Sequence, residues 1–314
     1  MSGNRSDIYN PKISSVLITG GNGFVGSRVT TLLISKGFKV SHLSVNPKPA
    51  LNVPVYAWSP VIGEIDKEAF NGIDCIIHLA GANIGEKRWT KQRKEEIIKS
   101  RVDSAQLLFK TVTDLKIELK AFISASAVGY YGSKNTNEIF SEESLPSTDF
   151  LGETCRLWEK NADLFEASGI RTVKIRTGIV LDKNEGALAK LYLPARYGIV
   201  LRTGSGHQYM PWIHISDLCN IYLKAIEDSN MSGAYNAVSP QHIDHNNFVR
   251  TMAASINRSV FLPAIPSFIF KIFFGQMSTL FLKGSRVSSK KISESGYDFL
   301  FPDLKGAFNE IFSK

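Results

Sequence analysis

A chain of 314 residues, 43% of them apolar and 21% charged, is long enough to bury a substantial core, as one large α/β unit or one with a smaller lobe. Its formal charge of +8 is spread along the chain, with modest concentrations only around Lys87 to Lys94 and Lys283 to Lys291. No basic run is interleaved with aromatics, which argues against nucleic acid and leaves small anionic ligands as the partners this charge favours. Cys75, Cys155 and Cys219 are isolated and without metal-ligand spacing, so they read as reduced, mostly core cysteines of a cytoplasmic protein, with no metal site.

Residues 1–14 are polar, contain no signal-peptide apolar stretch, and read as a disordered lead-in. The apolar run Val16-Leu17-Ile18 then enters Thr19-Gly20-Gly21-Asn22-Gly23-Phe24-Val25-Gly26, and the residues from Ser27 to Ile34 continue as an amphipathic helix. Strand, glycine turn and helix in that order form a dinucleotide-binding turn. Gly20 serves the tight turn, Gly23 the close approach of a pyrophosphate, and Gly26 the packing of helix on sheet. A helix starting near Phe24 and Val25 aims its unpaired N–H groups and positive dipole end at the phosphates.

The second strand, Lys39 to Ser44, shows which nucleotide is expected. A site for NAD usually carries Asp or Glu about twenty residues beyond the turn, to hold the ribose hydroxyls. Here no acidic residue stands between Gly26 and Glu64, and the strand runs out into Val45-Asn46-Pro47-Lys48. Ser44, Asn46 and Lys48, with Arg28 on the first helix, offer a ribose phosphate donors and positive charge, which favours NADP and leaves NAD as the alternative.

Strand and helix keep alternating. Pro54 to Trp58 forms a third strand, Asp66 to Asn71 a short helix, and Ile73 to Ala80 a strand so continuously apolar that both its faces must be buried. Trp89 to Thr113 is a long charged helix with Ile97, Ile98, Val102, Leu107 and Leu108 on its inner side; Ala121 to Ala127 and Thr172 to Ile175 are further strands. The expected fold is α/β, a doubly wound parallel Rossmann sheet with a smaller C-terminal substrate lobe. The nucleotide-binding unit spans 15–180 and is completed by about 211–240; 181–210 and 241–314 form the lobe. Ligands in such a sheet sit beyond the carboxyl ends of the strands. That puts the site after Ile18, Ser44, Leu79, Ser126 and Ile175, and makes Leu79, Ala80, Gly81, Thr177 and Gly178 cofactor-contact candidates.

Those segments carry a family likeness. Thr19 to Gly26, His78-Leu79-Ala80-Gly81, Ser124 to Gly132 and Trp212 to Asp217 resemble the extended short-chain dehydrogenase/reductase superfamily. Arg88-Trp89-Thr90, Ser100-Arg101, Cys155 with Trp158-Glu159, Arg176 to Leu181 and Gly204 to Gln208 resemble more closely its atypical epimerase-like branch, part of the NAD-dependent epimerase/dehydratase family. The likeness covers nearly the whole chain from Val16, including a C-terminal piece ending in Ser295 to Phe299. It implies hydride transfer at a carbinol or carbonyl carbon, in one form of the chemistry on a nucleotide-linked sugar, and a tendency to form homodimers.

The resemblance fails at one pair. Extended members use a Ser or Thr after the fifth strand and a Tyr-x-x-x-Lys on the next helix, the Tyr exchanging a proton and the Lys lowering its pKa. Ser126 matches the first position, but Phe150 and Thr154 stand at the other two. A phenyl ring exchanges no proton and Thr brings no charge. Tyr130 and Tyr131, close behind Ser126, are the candidate replacements; Glu159, if buried, is a candidate general base, and Cys155 reads as a small core residue. Arg101 stands where many members have an Asn. It either binds an anionic group on cofactor or substrate or pairs with Asp103 or Glu96. His214 reads as structural and Asp217 as the N-cap of the following helix.

Gly186 to Gln208, with Arg196 and Arg202, forms one expected wall of the substrate site and the region after Ser239 the other. The apolar stretch Phe268 to Phe274, followed by Leu280 to Leu282, is too short and interrupted to span a membrane; it reads as a lid, a packing helix or a dimer contact, with an interfacial helix as the alternative. The sequence therefore points to an NADP-dependent oxidoreductase or epimerase-like enzyme. The competing reading is an NADP-binding regulatory protein without hydride transfer, for which Phe150 and Thr154 speak.

Overall fold

The apolar runs become strands because alternate residues on each find a hydrophobic layer on either side of the sheet. In the computed structural model, which describes residues 12–48, 52–132, 137–260 and 263–313, Val16, Ile18, Cys75, Ile77 and Ile123 point into one core while Leu17, Ile76 and Phe122 point into the other. Both faces are covered by helices, so a period of two cannot show as polar alternation.

The first half of the chain runs β1 (Ser15–Thr19), α1 (Phe24–Ser35), β2 (Lys39–Ser44), β3 (Val55–Ser59), β4 (Glu64–Ile65), β5 (Cys75–His78), α2 (Lys91–Asp114), β6 (Ala121–Ala127), β7 (Ile139–Phe140) and α3 (Phe150–Ala167). It continues with β8 (Arg171–Thr177), β9 (Ile179–Leu181), α4 (Gly186–Ala195), β10 (Trp212–His214), α5 (Ile215–Glu227) and β11 (Gly233–Ala237). The last part holds α6 (His245–Ser255), α7 (Ser267–Phe274), α8 (Thr279–Leu282), β12 (Arg286–Val287), α9 (Lys290–Glu294) and α10 (Leu304–Ser313). Eight strands form one sheet in the order β11-β8-β6-β5-β1-β2-β3-β4, parallel except for the antiparallel edge strand β4. This is a doubly wound Rossmann sheet. The strand order reverses beside β1, between β2 and β5, and the connections diverging there open a crevice at the carboxyl ends.

Val29 and Leu33 of α1 and Leu218, Ile221 and Tyr222 of α5 cover one face; Leu108 and Val112 of α2 and Ala162 and Phe165 of α3 cover the other. A separate core joins Leu181, Leu188 and Trp212 to Phe248, Met252, Leu304 and Phe308, which packs β9, β10 and α4 against α6 and α10.

Two details differ from the sequence reading. Ile13 is buried and Ser14 donates from its backbone N–H and hydroxyl to Asp74 (2.7 and 2.9 Å), so the ordered chain begins before residue 15; residues 1–11 lie outside the described ones. Asp217 is not the N-cap of α5: the His214 side chain takes that role, accepting from Ser216 N–H. Asp217, fully buried, instead accepts from the backbone of Leu300 and Phe301 and from the Tyr297 hydroxyl, which ties the C-terminal segment to α5.

Candidate functional site

The glycine turn leaves β1 and starts α1 in a shape that admits no side chains at two points. Gly20 has φ +70°, and a Cβ there would lie 3.1 Å from the Ala80 nitrogen; a Cβ on Gly26 would lie 2.3 Å from the Gly20 carbonyl oxygen. Gly23 is the N-cap of α1 and no side chain caps it, so the first N–H groups of the helix face the crevice unclaimed by the protein's own side chains.

A buried polar chain fixes this turn against β5. Thr19 Oγ1 accepts from the backbone N–H of Leu79 and Ala80 (3.2 and 3.1 Å), which leaves its hydrogen for His78 Nδ1 at 2.8 Å. His78 Nε2–H then donates to Ser104 Oγ (3.1 Å), whose hydroxyl donates to the Ser100 carbonyl. Burial, and after it the charge of Arg101, pull the His78 imidazole down to about 3, so it is neutral as the chain requires.

On the β2 side, Ser44 Oγ accepts from Asn46 N–H and donates to the Asn46 carbonyl, and Asn22 of the turn reaches the Lys48 carbonyl at 3.5 Å. The structure thus gathers Ser44, Asn46 and Lys48 beside the glycine turn. Arg28 is turned elsewhere, donating to Asp182 at 3.2 Å. Sequence reasoning missed His42: fully buried and pulled down to about 4 by burial, it spans Asn22 Oδ1 (3.1 Å) and Thr30 Oγ1 (2.8 Å), bracing the turn from beneath. A histidine alternating with apolar residues on an interior strand was the only signal.

Beyond β5, Leu79, Ala80 and Gly81 pass over Arg101. Its Nη1 donates to the Ala82 and Ile97 carbonyls (3.1 and 2.9 Å), and its guanidinium packs 4.8 Å from the Trp158 ring centroid. Neither acidic partner weighed for it is there: Glu96 pairs with Arg93 at 2.7 Å, and Asp103 forms no ion pair with Arg101. At the end of β8, the Thr177 hydroxyl donates to the Ile175 carbonyl, and Gly178 N–H donates to Ala237 while its Cα side abuts Pro211.

The segment after β6 holds the densest polar network. Ser126 Oγ–H donates to Glu159 at 2.6 Å; Arg176 grips the same carboxylate through Nε and Nη2, both at 2.8 Å, and Nη1 donates to the Tyr131 hydroxyl at 2.9 Å, which itself donates to Asn236 at 2.6 Å. Although burial works against its charge, the Glu159 carboxylate holds the Arg176 guanidinium above its ordinary pKa. Tyr131 is 1% exposed and burial raises its phenol to about 12, so it belongs to the wall rather than to the cleft. Tyr130 is half-buried, with the Arg176 guanidinium 3.5 Å from its ring centroid. Asn236, reached only through β11, carried no sequence signal.

Phe150 opens α3 and packs 4.8 Å from Trp89 between ring centroids, with Lys94 over its face; Thr154 donates to the Phe150 carbonyl. Cys155 is buried and burial raises its thiol to about 12, which makes it inert at neutral pH. Phe274 of α7 and Leu280 of α8 pack on this same cluster of Trp89, Phe150 and Met277, while Phe268, Ile272 and Phe273 face outward. In the other expected wall, Arg196 lies 4.8 Å from the Tyr197 ring centroid. Among the described residues no helix is long and apolar enough to cross a membrane, and no group of His, Cys, Asp or Glu could hold a metal ion.

Comparison with known proteins agrees with this architecture. A model of the NAD dependent epimerase/dehydratase family matches residues 16–159, and one described as a domain of unknown function (DUF1731) matches residues 265–311. The human epimerase family protein SDR39U1 is 33% identical over 299 residues, spanning 94% of this chain and 99% of that one. The chain belongs to this epimerase family. The Bacillus subtilis epimerase family protein YfhF is 35% identical over 300 residues, 95% of this chain and 97% of its own. A crystal structure of human SDR39U1 with NADPH matches with a TM-score of 0.84 at 32% identity, over 95% of this chain and 99% of that one.

Proposed function

We propose that this epimerase-family protein binds NADP across the carboxyl ends of β1, β2, β5 and β6 and transfers hydride at a carbinol or carbonyl carbon, a nucleotide-linked sugar being one candidate substrate. The observation that carries the reading is the glycine turn, a cradle that a Cβ at Gly20 or Gly26 would fill, set under an uncapped helix N-terminus. The related human protein, solved with NADPH, supports the same cofactor. Gly20, Gly23, Phe24, Val25 and Gly26 would hold the pyrophosphate; Ser44, Asn46 and Lys48 the ribose phosphate; Leu79, Ala80, Gly81, Thr177 and Gly178 the second half of the dinucleotide. When bound, the cofactor supplies or accepts a hydride.

The protein's own part of the chemistry is the proton. Ser126 gives its hydrogen to Glu159, so toward a substrate it offers lone pairs that accept from a hydroxyl and orient it. Glu159, gripped at both oxygens by Arg176, is a fixed acceptor for Ser126 rather than a general base. That leaves the Tyr130 phenol, only half-buried, to give the proton to a carbonyl oxygen on reduction or take it back on oxidation.

The test is NADPH binding by calorimetry, then loss of nicotinamide absorbance with a panel of carbonyl compounds and product analysis with sugar nucleotides, for the wild type, Ser126→Ala and Tyr130→Phe. Turnover lowered by at least about a hundredfold in Tyr130→Phe, with NADPH affinity kept, is expected; turnover undiminished in both variants would refute the assigned roles. The second reading, NADP binding without hydride transfer, rests on Phe150 and its packing on Trp89, which seals the position where the family's tyrosine stands. Tight NADPH binding without conversion of any compound would favour it.

A further inference from the structure

Arg101 is a cation buried to 9% exposure on the floor of the groove, and what surrounds it does not neutralise it. Its hydrogen bonds run to two backbone carbonyls, and no carboxylate pairs with it among the described residues. The neighbouring carboxylates are engaged by other cations. Glu159 is held by Arg176, and Glu86 and Glu96 both pair with Arg93. Cys155 and His78 are held neutral by burial. Desolvation costs Arg101 part of its own basicity, down to about 10, yet it stays charged at neutral pH.

Its place in the sheet gives this charge a meaning. The dinucleotide's two halves lie on opposite sides of β1, and the ribose-phosphate candidates occupy the β2 side. Arg101 lies on the other side, under Gly81, whose Cα faces it so closely that a Cβ would stand 3.1 Å from the guanidinium carbon. It also touches Trp158 and adjoins Cys155 on α3, next to the Gly129 segment that follows Ser126. This is the half of the groove where the nicotinamide of a bound cofactor belongs. An oxidised nicotinamide ring carries a positive charge and a reduced one carries none, so an unmatched cation in a low-dielectric floor repels only the oxidised form.

We infer that Arg101 makes this protein selective for the reduced cofactor, favouring NADPH over NADP+ by charge repulsion at the nicotinamide end of the groove. The inference rests on the proposed NADP binding. It would make the protein respond to the ratio of reduced to oxidised cofactor.

The experiment measures dissociation constants for NADPH and NADP+ separately, by titration calorimetry, on the full chain. The wild type should bind NADPH on the order of tenfold more tightly than NADP+. Arg101→Met should bring the two constants together, mainly by improving NADP+; Arg101→Lys should keep the difference. Thr154→Lys added to Arg101→Met returns a cation from the adjoining turn of α3 and should restore it. A purely structural role for Arg101 would weaken both forms alike and would not be rescued by Thr154→Lys. Equal affinity of the wild type for both forms overturns the inference whatever the variants do, as does an unchanged ratio in a folded Arg101→Met. Failure of the wild type to bind either form removes the nucleotide reading itself, and this inference with it.

Discussion

Acidification from pH 7 to pH 5 should destabilise the fold steeply, because the protein buries histidines in their neutral form. His78 is fully buried and held down to about 3, and His245, 3% exposed, to about 4. In the unfolded chain both titrate near about 6.5. Between pH 6.5 and 5 the unfolded state therefore binds protons that the folded state refuses, and stability falls by about 1.4 kcal/mol per pH unit per histidine. Over about 1.5 units that is roughly 2 kcal/mol each and roughly 4 kcal/mol together. His42 and His214, whose pKa values burial also lowers, act in the same direction. Asp74, held at about 2 by Lys120 and Ser14 against the cost of burial, loses its contribution only below about pH 4, outside this window. Urea unfolding followed by tryptophan fluorescence at pH 7, 6 and 5 measures the loss as a falling midpoint at constant slope. Equal midpoints at pH 7 and pH 5 would refute the reasoning, since they would mean that these imidazoles take up protons without leaving their partners.

Glu159→Ala should cost about 3–5 kcal/mol of stability, because it strands the Arg176 guanidinium in a wall where its side chain is 4% exposed. Ser126→Ala removes one hydrogen bond from the same carboxylate and should cost about 1 kcal/mol; chemical denaturation of the two variants side by side decides whether the ion pair carries the difference. Gly26→Ala should lower NADPH affinity by an order of magnitude or more while leaving the far-ultraviolet circular dichroism near native, because the added methyl forces the turn away from the Gly20 carbonyl. Unchanged affinity in that variant would show that the cofactor does not use this turn.

What could be read from the residues alone was what repeats along the chain or packs into a few consecutive positions. The glycine turn is eight consecutive residues whose spacing is its own signal, and the double-sided burial of β1 and β5 shows as unbroken apolar runs. The polar architecture beneath the site has no such period. Glu159 and Arg176 stand on different elements, and Tyr131 meets Asn236 only because β11 lies next to β8 in the sheet. Sequence reasoning weighed Glu159 as a general base because it saw the carboxylate without the arginine that immobilises it. Arg28 looked like a phosphate ligand for the converse reason, its partner Asp182 being far along the chain. Asp217 sits early in a helix, as N-caps do, and only the fold shows that its acceptors serve residues 297–301 instead.

That last tie bears on how the chain is made. A ribosome releases β1 through α5 long before Tyr297 exists, and until residues 297–301 arrive Asp217 is a carboxylate in an apolar face with its donors missing. The nascent sheet can collapse early, since its parallel neighbours are all synthesised by Ala237, yet one flank stays unfinished until residues 297–301 reach Asp217 on α5. The lock therefore closes only once residues 297–301 have left the ribosome, and a chain released short of them carries an open seam beside its nucleotide sheet.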